Sequence, residues 1–253
     1  AESATAQLLD DASVRTLPTA HGPVRVREGR LGDVQTFVLP RSGPRHPLPA
    51  HSIDFKENMA LLAELGVTDV VSTGMVGSLR GSLPVGSVVV LDQFLDFTKH
   101  RDWTYFEDTR FGFGDFTEPF CSRLREGLVK ACAEAGIPAV PNGCYVGVDG
   151  PRFETSAEVR MYGMLGGDVI GMTVLPECVM AREAGLCYAT VAGVVNLGAG
   201  LAPGPLHAPD FLNTRQAHME RMKDILRHLS CLLSAPDAAQ SCACPTVPME
   251  RTS

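Results

Sequence analysis

The stretch Gly150-Pro151-Arg152-Phe153-Glu154-Thr155-Ser156-Ala157-Glu158 decides how the middle of this chain is organised. Its Thr155-x-x-Glu158 portion has the spacing of a capping box, which predicts the start of a helix. Two apolar segments rich in β-branched residues follow at 168–174 and 187–195, and a helix through Glu183 separates them. Such apolar segments are typical of buried strands. The stretch therefore lies in a region where helices and strands alternate.

The same alternation extends over most of the chain. Strand-like segments lie at 24–30, 34–39, 68–72 and 87–91, and helix-like segments lie at 52–65, 118–135 and 210–233. Gly32-Asp33 is the predicted turn of a hairpin between the first two strands. This order predicts an α/β fold with a single domain, in which helices flank a twisted mixed central sheet. We place the domain at residues 1–233 and expect residues 234–253 to form a disordered tail.

Composition limits the function as well as the fold. The chain has 253 residues, of which 45% are hydrophobic, and this is enough for one sizeable core. Its 22 basic and 29 acidic residues give a net charge of −7 with no basic block. This balance argues against a nucleic-acid or membrane partner and favours a small-molecule substrate. Because the N-terminus lacks a signal-peptide pattern, we expect a cytoplasmic protein.

The eight cysteines raise the question of a metal site or a disulfide framework. Most of them lie inside apolar segments, where a free cysteine behaves as a small buried hydrophobic residue. Cys242-x-Cys244 lies in a tail rich in Ser, Ala and Pro, without a second ligand pair at zinc spacing. The sequence therefore favours no metal.

Three segments together carry a resemblance to a known family. They are the stretch at 150–158, Gly171-Met172-Thr173-Val174-Leu175-Pro176-Glu177, and Val194-Val195-Asn196. In this combination they resemble the methylthioadenosine and purine nucleoside phosphorylase superfamily, and the resemblance extends from about Arg41 to Leu233. It implies a nucleoside phosphorylase-like fold and a pentosyltransferase without a cofactor, for which phosphate is a possible co-substrate. In the family, a loop in the region of Phe111, Phe113 and Phe116 reaches into a neighbouring subunit, which implies a homotrimer; a loop anchored on its own domain is an equal alternative.

The resemblance assigns the catalytic contacts with the base to Glu154 and Asn196. Members that take 6-aminopurines carry aspartates after the last sheet strand, whereas those that take 6-oxopurines carry Glu and Asn at these two places. A carboxylate accepts from the N1–H of hypoxanthine or guanine, and an Asn amide donates to O6 or N7. The implied substrate is a nucleoside like inosine, guanosine or 5′-methylthioinosine. The alternatives are that Asn196 caps a turn and that Glu154 is a carboxylate in the first turn of a helix.

The remaining substrate contacts are implied in the same way. The resemblance places Phe153, Met172, Gly74 and Met75 against the substrate. Met172 would lie against the ribose, although filling the core is an alternative role for it. The histidines that could reach the 5′ group are His100, His207 and His218, and the sequence does not choose among them.

The resemblance is weakest on the phosphate side. Arg41 and Thr173 occupy places where the family binds phosphate, but Ser42 stands where the family has His. Gly74 stands where Thr or Asn is common, and no Gly-rich turn precedes Leu8. We therefore expect a degraded phosphate site, and three hypotheses stay open. The chain is a phosphorylase with an atypical phosphate site, a relative that became a hydrolase or a secondary-metabolism enzyme for cyclisation or elimination, or a non-catalytic purine-binding protein.

Overall fold

Strands and helices alternate along the chain in a computed structural model that describes residues 8–19, 23–41, 48–102, 104–105, 110–206, 208–235, 242, 244 and 250–251. The strands are β1 (Asp10–Leu17), β2 (Val24–Leu31), β3 (Val34–Val38), β4 (Asp69–Ser78), β5 (Val88–Val90), β6 (Gln93–Asp96), β7 (Arg110–Phe111), β8 (Ala139–Val140), β9 (Cys144–Gly147), β10 (Val169–Gly171), β11 (Cys187–Leu197) and β12 (Glu250–Arg251). The helices are α1 (Phe55–Glu64), α2 (Ser122–Glu134), α3 (Ser156–Met164), α4 (Glu177–Glu183) and α5 (Ala208–Ser234).

Seven strands form the central sheet, in the order β6-β9-β10-β4-β11-β5-β8. The pairs β6/β9, β9/β10, β4/β11 and β5/β8 are parallel, whereas β10/β4 and β11/β5 are antiparallel. The sheet is therefore mixed and flanked by helices, which confirms the predicted α/β fold with a single domain. Strands β1, β2 and β3 form a separate antiparallel sheet, in which Gly32 makes the predicted hairpin turn with a φ of 58°.

Two apolar clusters hold α1, α2, α4 and α5 against the central sheet. One of them contains Met59, Phe120, Tyr145 and Leu175. The second lies around α2 and α5 and contains Leu124, Leu128, Met222, Ile225 and Leu229. Residues 188–195 of β11 are buried because apolar layers cover both faces of this strand. Burial on both faces explains its continuous apolar sequence.

Several element boundaries differ from the sequence prediction for local reasons. Strand β10 ends at Gly171 and not at 174, because the backbone N–H groups of Thr173 and Val174 donate to the Tyr145 hydroxyl. Helix α1 begins after Asp54, whose side chain accepts from the backbone of Glu57 and caps the helix. Strand β1 was not predicted, since its sequence carries two acidic residues, a Ser, an Arg and a Thr.

The described residues of the predicted tail pack on the rest of the molecule. Cys242 and Cys244 pack against the cluster around α2 and α5, and β12 pairs with β7. The other residues from 236 onward lie outside the described part, so disorder over 234–253 stays a prediction. Among the described residues, no helix is both long enough and apolar enough to cross a membrane.

Candidate active site

Asn196 lies in a local irregularity between the two long central strands. The register of β11 against β4 shifts between Val194 and Asn196, and Asn196 stands opposite Gly77. A Cβ atom at position 77 would lie 3.1 Å from Nδ2 of Asn196, so glycine allows this close approach. The Asn196 Nδ2 donates to the Leu197 carbonyl at 3.0 Å. This bond orients the side-chain amide of Asn196. The second N–H of Nδ2 and the Oδ1 atom take no part in this bond.

A cavity of about 400 Å³ opens beside Asn196. The end of β11 and the loop at 202–206 form most of its wall, together with Val85, Phe153 and Thr214. Most of these residues are small or apolar, and the Phe153 side chain is half-exposed at the cavity. The structure thus brings Asn196 and Phe153 to one cavity. Glu154, Met172, Gly74 and Met75 are not part of its wall.

The Glu154 carboxylate takes no part in capping the neighbouring helix, α3. Helix α3 starts with a complete capping box, in which Thr155 and Glu158 bond to each other's backbone N–H. Arg152 forms two hydrogen bonds to Glu158, at 2.8 and 2.7 Å. The acidic residue of the first turn is thus Glu158, and Glu154 precedes the N-cap, which removes the alternative role considered for Glu154. Burial raises the pKa of Glu154, and the nearby Glu158 carboxylate raises this pKa further.

Met172 is held by two features that the sequence did not reveal. Position 150 is a glycine with a φ of 68°. A Cβ atom there would lie only 2.4 Å from Sδ of Met172, so the missing side chain leaves room for the methionine. The buried Arg101 guanidinium donates to the carbonyls of Met172 and Leu175, at 2.6 Å each. It also donates to the Val148 and Asp149 carbonyls, at 3.2 and 2.9 Å. Arg101 therefore fixes the loops after β9 and β10, and its local sequence gave no sign of this role.

Gly74 and Met75 lie in the middle of β4, opposite Ala192 and Gly193. Behind them, the His218 ring packs so closely on Gly193 that a Cβ there would lie 1.8 Å from the ring. Burial lowers the pKa of His218, and a hydrogen bond with the backbone of Gly74 opposes this effect. His218 is therefore a buried histidine at the level of Gly74. The His100 side chain is 86% exposed, and His207 lies outside the described residues.

Arg41 belongs to a buried polar cluster on the phosphate side, which we define as Arg41, Ser72, Tyr145, Thr173, Glu177 and Tyr188. Arg41 binds the Glu177 carboxylate through Nε at 2.8 Å and Nη2 at 2.9 Å, and donates to the Ser72 hydroxyl at 2.5 Å. The Tyr188 hydroxyl donates to the same carboxylate at 2.5 Å. Burial alone would lower the pKa of Arg41, but Glu177 raises it, so the guanidinium stays charged.

Tyr145 connects Thr173 to this cluster. Its hydroxyl accepts from the backbone N–H groups of Thr173 and Val174, at 3.1 and 3.4 Å. Burial raises the pKa of Tyr145 to about 12, while the two N–H groups and Arg41 act against this rise. The Thr173 hydroxyl and Nη1 of Arg41 take no part in these bonds. Ser42 lies outside the described residues, and its place at the phosphate stays a prediction.

The two sides lie along one strand. Ser72, at the Arg41 end, and Gly77, beside Asn196, are five residues apart on β4, or about 16 Å at about 3.3 Å a residue. Gly74 and Met75 lie between them. The arrangement has a neutral amide beside a cavity at one end and a charged, hydrogen-bonded cluster at the other. These are the ends at which the sequence analysis predicted the base and the phosphate.

Comparisons with known proteins show the family of the chain. The sequence model of the Phosphorylase superfamily matches residues 3–230. The chain is 38% identical over 236 residues to the 6-oxopurine nucleoside phosphorylase of Pyrococcus furiosus, which covers 90% of this chain and 88% of that protein. It is 42% identical over 188 residues to a probable S-methyl-5′-thioinosine phosphorylase of Methanopyrus kandleri, covering 74% of this chain and 73% of that protein. A solved structure of methylthioadenosine phosphorylase from Schistosoma mansoni in complex with adenine is 30% identical and superposes with a TM-score of 0.88, covering 94% of this chain and 92% of that chain. The chain belongs to the phosphorylase superfamily.

Proposed function

We propose that this protein cleaves the N-glycosidic bond of 6-oxopurine nucleosides by phosphorolysis. The observation that carries the proposal is the Asn196 amide, fixed against Gly77 at the wall of the cavity of about 400 Å³. A neutral amide at this position can donate to an oxopurine. Relatives named as 6-oxopurine nucleoside phosphorylases, with 37–42% identity, support the same substrate class.

Recognition of the base follows from the chemistry of the two predicted catalytic residues. The second N–H of Asn196 would donate to O6 or N7 of the purine, and the Glu154 carboxylate would accept from N1–H. Adenine carries an acceptor and no hydrogen at N1, so the Glu154 carboxylate would face this atom without a donor. A mismatched buried polar pair costs about 1–3 kcal/mol. Phe153 would cover one face of the ring, and Met172 would lie against the ribose.

The reaction transfers a pentosyl group from nitrogen to oxygen. An oxygen of phosphate forms a bond to C1′ of the ribose while the bond from C1′ to N9 breaks. The bonding pair passes to the purine, which takes up a proton and leaves as the free base, and the sugar becomes a ribose 1-phosphate. Asn196 would stabilise the negative charge that develops on the base, as preorganised donors do in other enzymes. Holding the two reactants in line supplies the remaining part of the rate enhancement.

Phosphate would be the co-substrate, and no cofactor enters this reaction. The predicted anion contacts are Arg41, Thr173 and Ser42. Nη1 of Arg41 and the hydroxyl of Thr173 lie outside the bonds of the buried cluster, which supports a role for both groups. Each charge-assisted contact would contribute about 1.5–3 kcal/mol.

A second candidate function rests on the pairing of Arg41. Two nitrogens of this guanidinium are bound to Glu177, at 2.8 and 2.9 Å, so less of its charge is available to an anion. Weak phosphate binding would leave water as the nucleophile, and the protein would be a nucleoside hydrolase. A cyclisation or elimination in secondary metabolism is the corresponding alternative if nucleosides are not the substrates.

The test is the release of free purine from inosine, guanosine and 5′-methylthioinosine, measured by chromatography with and without phosphate. The proposal expects release that depends on phosphate, together with one ribose 1-phosphate for each purine. Release without phosphate would replace phosphorolysis by hydrolysis. If none of the three nucleosides is cleaved, the pocket serves another substrate and the proposal fails.

The proposal includes a homotrimer in the cytoplasm. The exposed aromatic residue Phe113, in the loop between β7 and α2, supports an intersubunit contact because 88% of it is accessible to solvent. Light scattering should give a mass of three times the 27.1 kDa chain. Phe113→Ser should lower that mass if the loop reaches a neighbouring subunit, and an unchanged trimer would favour a loop anchored on its own domain.

A further inference from the structure

Four cysteines from three distant parts of the chain meet in one cluster. Cys121 is the N-cap of α2, Cys187 is the first residue of β11, and Cys242 and Cys244 belong to the segment after α5. Their four Sγ atoms all lie within 4.8 Å of one another, and Cys187 Sγ and Cys242 Sγ are 3.0 Å apart. All eight cysteines of the chain are free thiols. This convergence brings four soft ligand atoms to a single point.

The spacing fits a central metal ion. A zinc ion bound tetrahedrally by four thiolates at about 2.3 Å places the sulfur atoms about 3.8 Å apart. In the cluster one pair is 3.0 Å apart and no pair is more than 4.8 Å apart, so the four sulfurs lie close enough to surround one ion. Disulfides would need the sulfurs in separate pairs at about 2.05 Å. Four sulfurs around a common centre are therefore better matched to one ion than to two disulfides.

The folded core holds half of this cluster in place. The Cys121 backbone N–H donates to the carbonyl of Tyr188, the residue next to Cys187, at 2.8 Å. The Cys187 N–H donates to the Thr68 carbonyl at 2.9 Å, which anchors it at the start of β11. These bonds set the two thiols side by side on rigid elements. Cys242 and Cys244 then supply the other two ligands from a segment with few other described contacts.

A cation beside the cluster balances its charge. Four thiolates around Zn²⁺ carry a net charge of −2, and such sites depend on hydrogen bonds to the sulfurs from surrounding groups. Arg123 is the second residue of α2, two positions after Cys121, and its guanidinium lies beside the sulfur of Cys187. The same guanidinium is paired with Asp69, which fixes its position. Arg123 therefore provides a positioned donor and a positive charge at the edge of the cluster.

We propose that Cys121, Cys187, Cys242 and Cys244 form a structural zinc site that attaches the C-terminal segment to the start of β11. Each thiol that binds the ion loses its proton to solvent, and the four sulfurs complete the coordination without an open position for a substrate. The sequence gave no sign of this site, because Cys121 and Cys187 lie too far apart in the chain to be read as a pair of zinc ligands. Cys187 and Asn196 are nine residues apart on β11, about 30 Å, so the ion would not touch the nucleoside.

The experiment measures metal in the full chain, purified and handled under reducing conditions. Elemental analysis should find about one zinc ion per chain. Replacing zinc by Co²⁺ should give the absorption bands of tetrahedral thiolate coordination. A strong chelator should lower the midpoint of thermal unfolding, and added Zn²⁺ should restore it, because an ion that binds only the folded state stabilises it.

Variants separate this site from other thiols. Cys242→Ser and Cys244→Ser should each lose most of the bound zinc and the thermal shift on adding Zn²⁺. The matched control is Cys231→Ser, an exposed cysteine of α5 outside the cluster, which should keep both. If the reduced wild-type chain binds no zinc when Zn²⁺ is added, the proposal is overturned. It is equally overturned if thiol counting and mass spectrometry find these four cysteines in two disulfides in protein that binds no metal.

Discussion

The two ends of the predicted substrate site are built in opposite ways. At the base end, Asn196 stands almost alone as a polar side chain on a cavity wall of small and apolar residues. At the phosphate end, the Arg41 guanidinium and the Tyr188 hydroxyl are already bonded to the buried Glu177 carboxylate. Asn196 is therefore open to a ligand on its cavity side, whereas an anion at the phosphate end would compete with Glu177 for the charge of Arg41.

Because of this difference, substitutions at the base end should affect substrate specificity, and substitutions at the phosphate end should affect stability. A side chain that faces an open cavity can change without disturbing its neighbours, so substitution there should alter the choice of substrate. A buried ion pair behaves differently, because removing one partner leaves the other charge without compensation. The same kind of substitution should therefore change activity at one end and folding at the other.

Breaking the ion pair at the phosphate end should have the largest effect. Glu177→Gln leaves the buried Arg41 guanidinium without its counter-charge, and we expect a loss of about 3–5 kcal/mol in the free energy of unfolding. Denaturant unfolding measures this loss. The control is Glu134→Gln, which removes the exposed partner of His228 and should cost about 0–1 kcal/mol. Equal effects of the two variants would show that the cluster around Arg41 is not the rigid part of the site.

Removing the amide at the base end should come next. Asn196→Ala deletes the donor for the departing purine, and we expect kcat to fall by about 10²–10³ with the fold intact. Purine release and circular dichroism measure the two quantities. Asn142→Ala is the matched control, because Asn142 is an exposed loop residue bonded to Arg125. Near-normal turnover of Asn196→Ala would remove this residue from the catalytic site.

The contrast between the two ends also explains what the sequence could and could not predict. The α/β fold followed from the alternation of apolar segments, and the start of α3 followed from a local capping box. Phe153 and Asn196, which the motifs marked, lie at one cavity, and their role there stays a prediction. All of these are features of short segments, whose patterns determine local structure directly.

The phosphate end depends instead on contacts between distant residues. Arg41 pairs with Glu177, 136 residues further along the chain, and the sequence marked Arg41 only as an anion ligand. Arg101 is buried beneath two loops, although its neighbours Lys99, His100 and Asp102 are typical of a solvated loop. The four-cysteine cluster also depends on distant residues, because Cys121 and Cys187 are far in the chain from each other and from the Cys242-x-Cys244 segment. Such long-range pairings have no local pattern that would reveal them.

A change of charge at the base end should sharpen the comparison. Asn196→Asp replaces the donor amide by an acceptor, which suits a protonated N7 or a 6-amino group better than O6. One such mismatch costs about 1–3 kcal/mol, so we expect preference to move roughly tenfold or more from inosine toward adenosine. The ratio of kcat/KM for the two nucleosides measures this shift. An unchanged ratio would contradict the assignment of base recognition to Asn196.

The smallest effect should come from Glu154, through the pH dependence of activity. Burial raises the pKa of Glu154 above its ordinary value of 4.5. The carboxylate must be ionised to accept from N1–H, so kcat/KM for inosine should fall as the pH drops through this raised pKa. Glu154→Gln should weaken that dependence and lower kcat/KM by roughly tenfold at neutral pH, since one charged hydrogen bond is lost. A pH profile identical to that of the wild type would exclude Glu154 from the base site.

The stability of the same variant distinguishes a ligand contact from a structural one. Because the folded-state pKa of Glu154 is raised, the contribution of this group to stability is complete below about pH 4.5 and is lost as the pH rises through the folded-state value. At neutral pH the buried carboxylate is therefore a cost to the folded state, and the neutral side chain of Glu154→Gln avoids it. We expect this variant to be no less stable than the wild type at neutral pH while it is less active. Loss of both activity and stability would mean that Glu154 supports α3 and does not bind the purine.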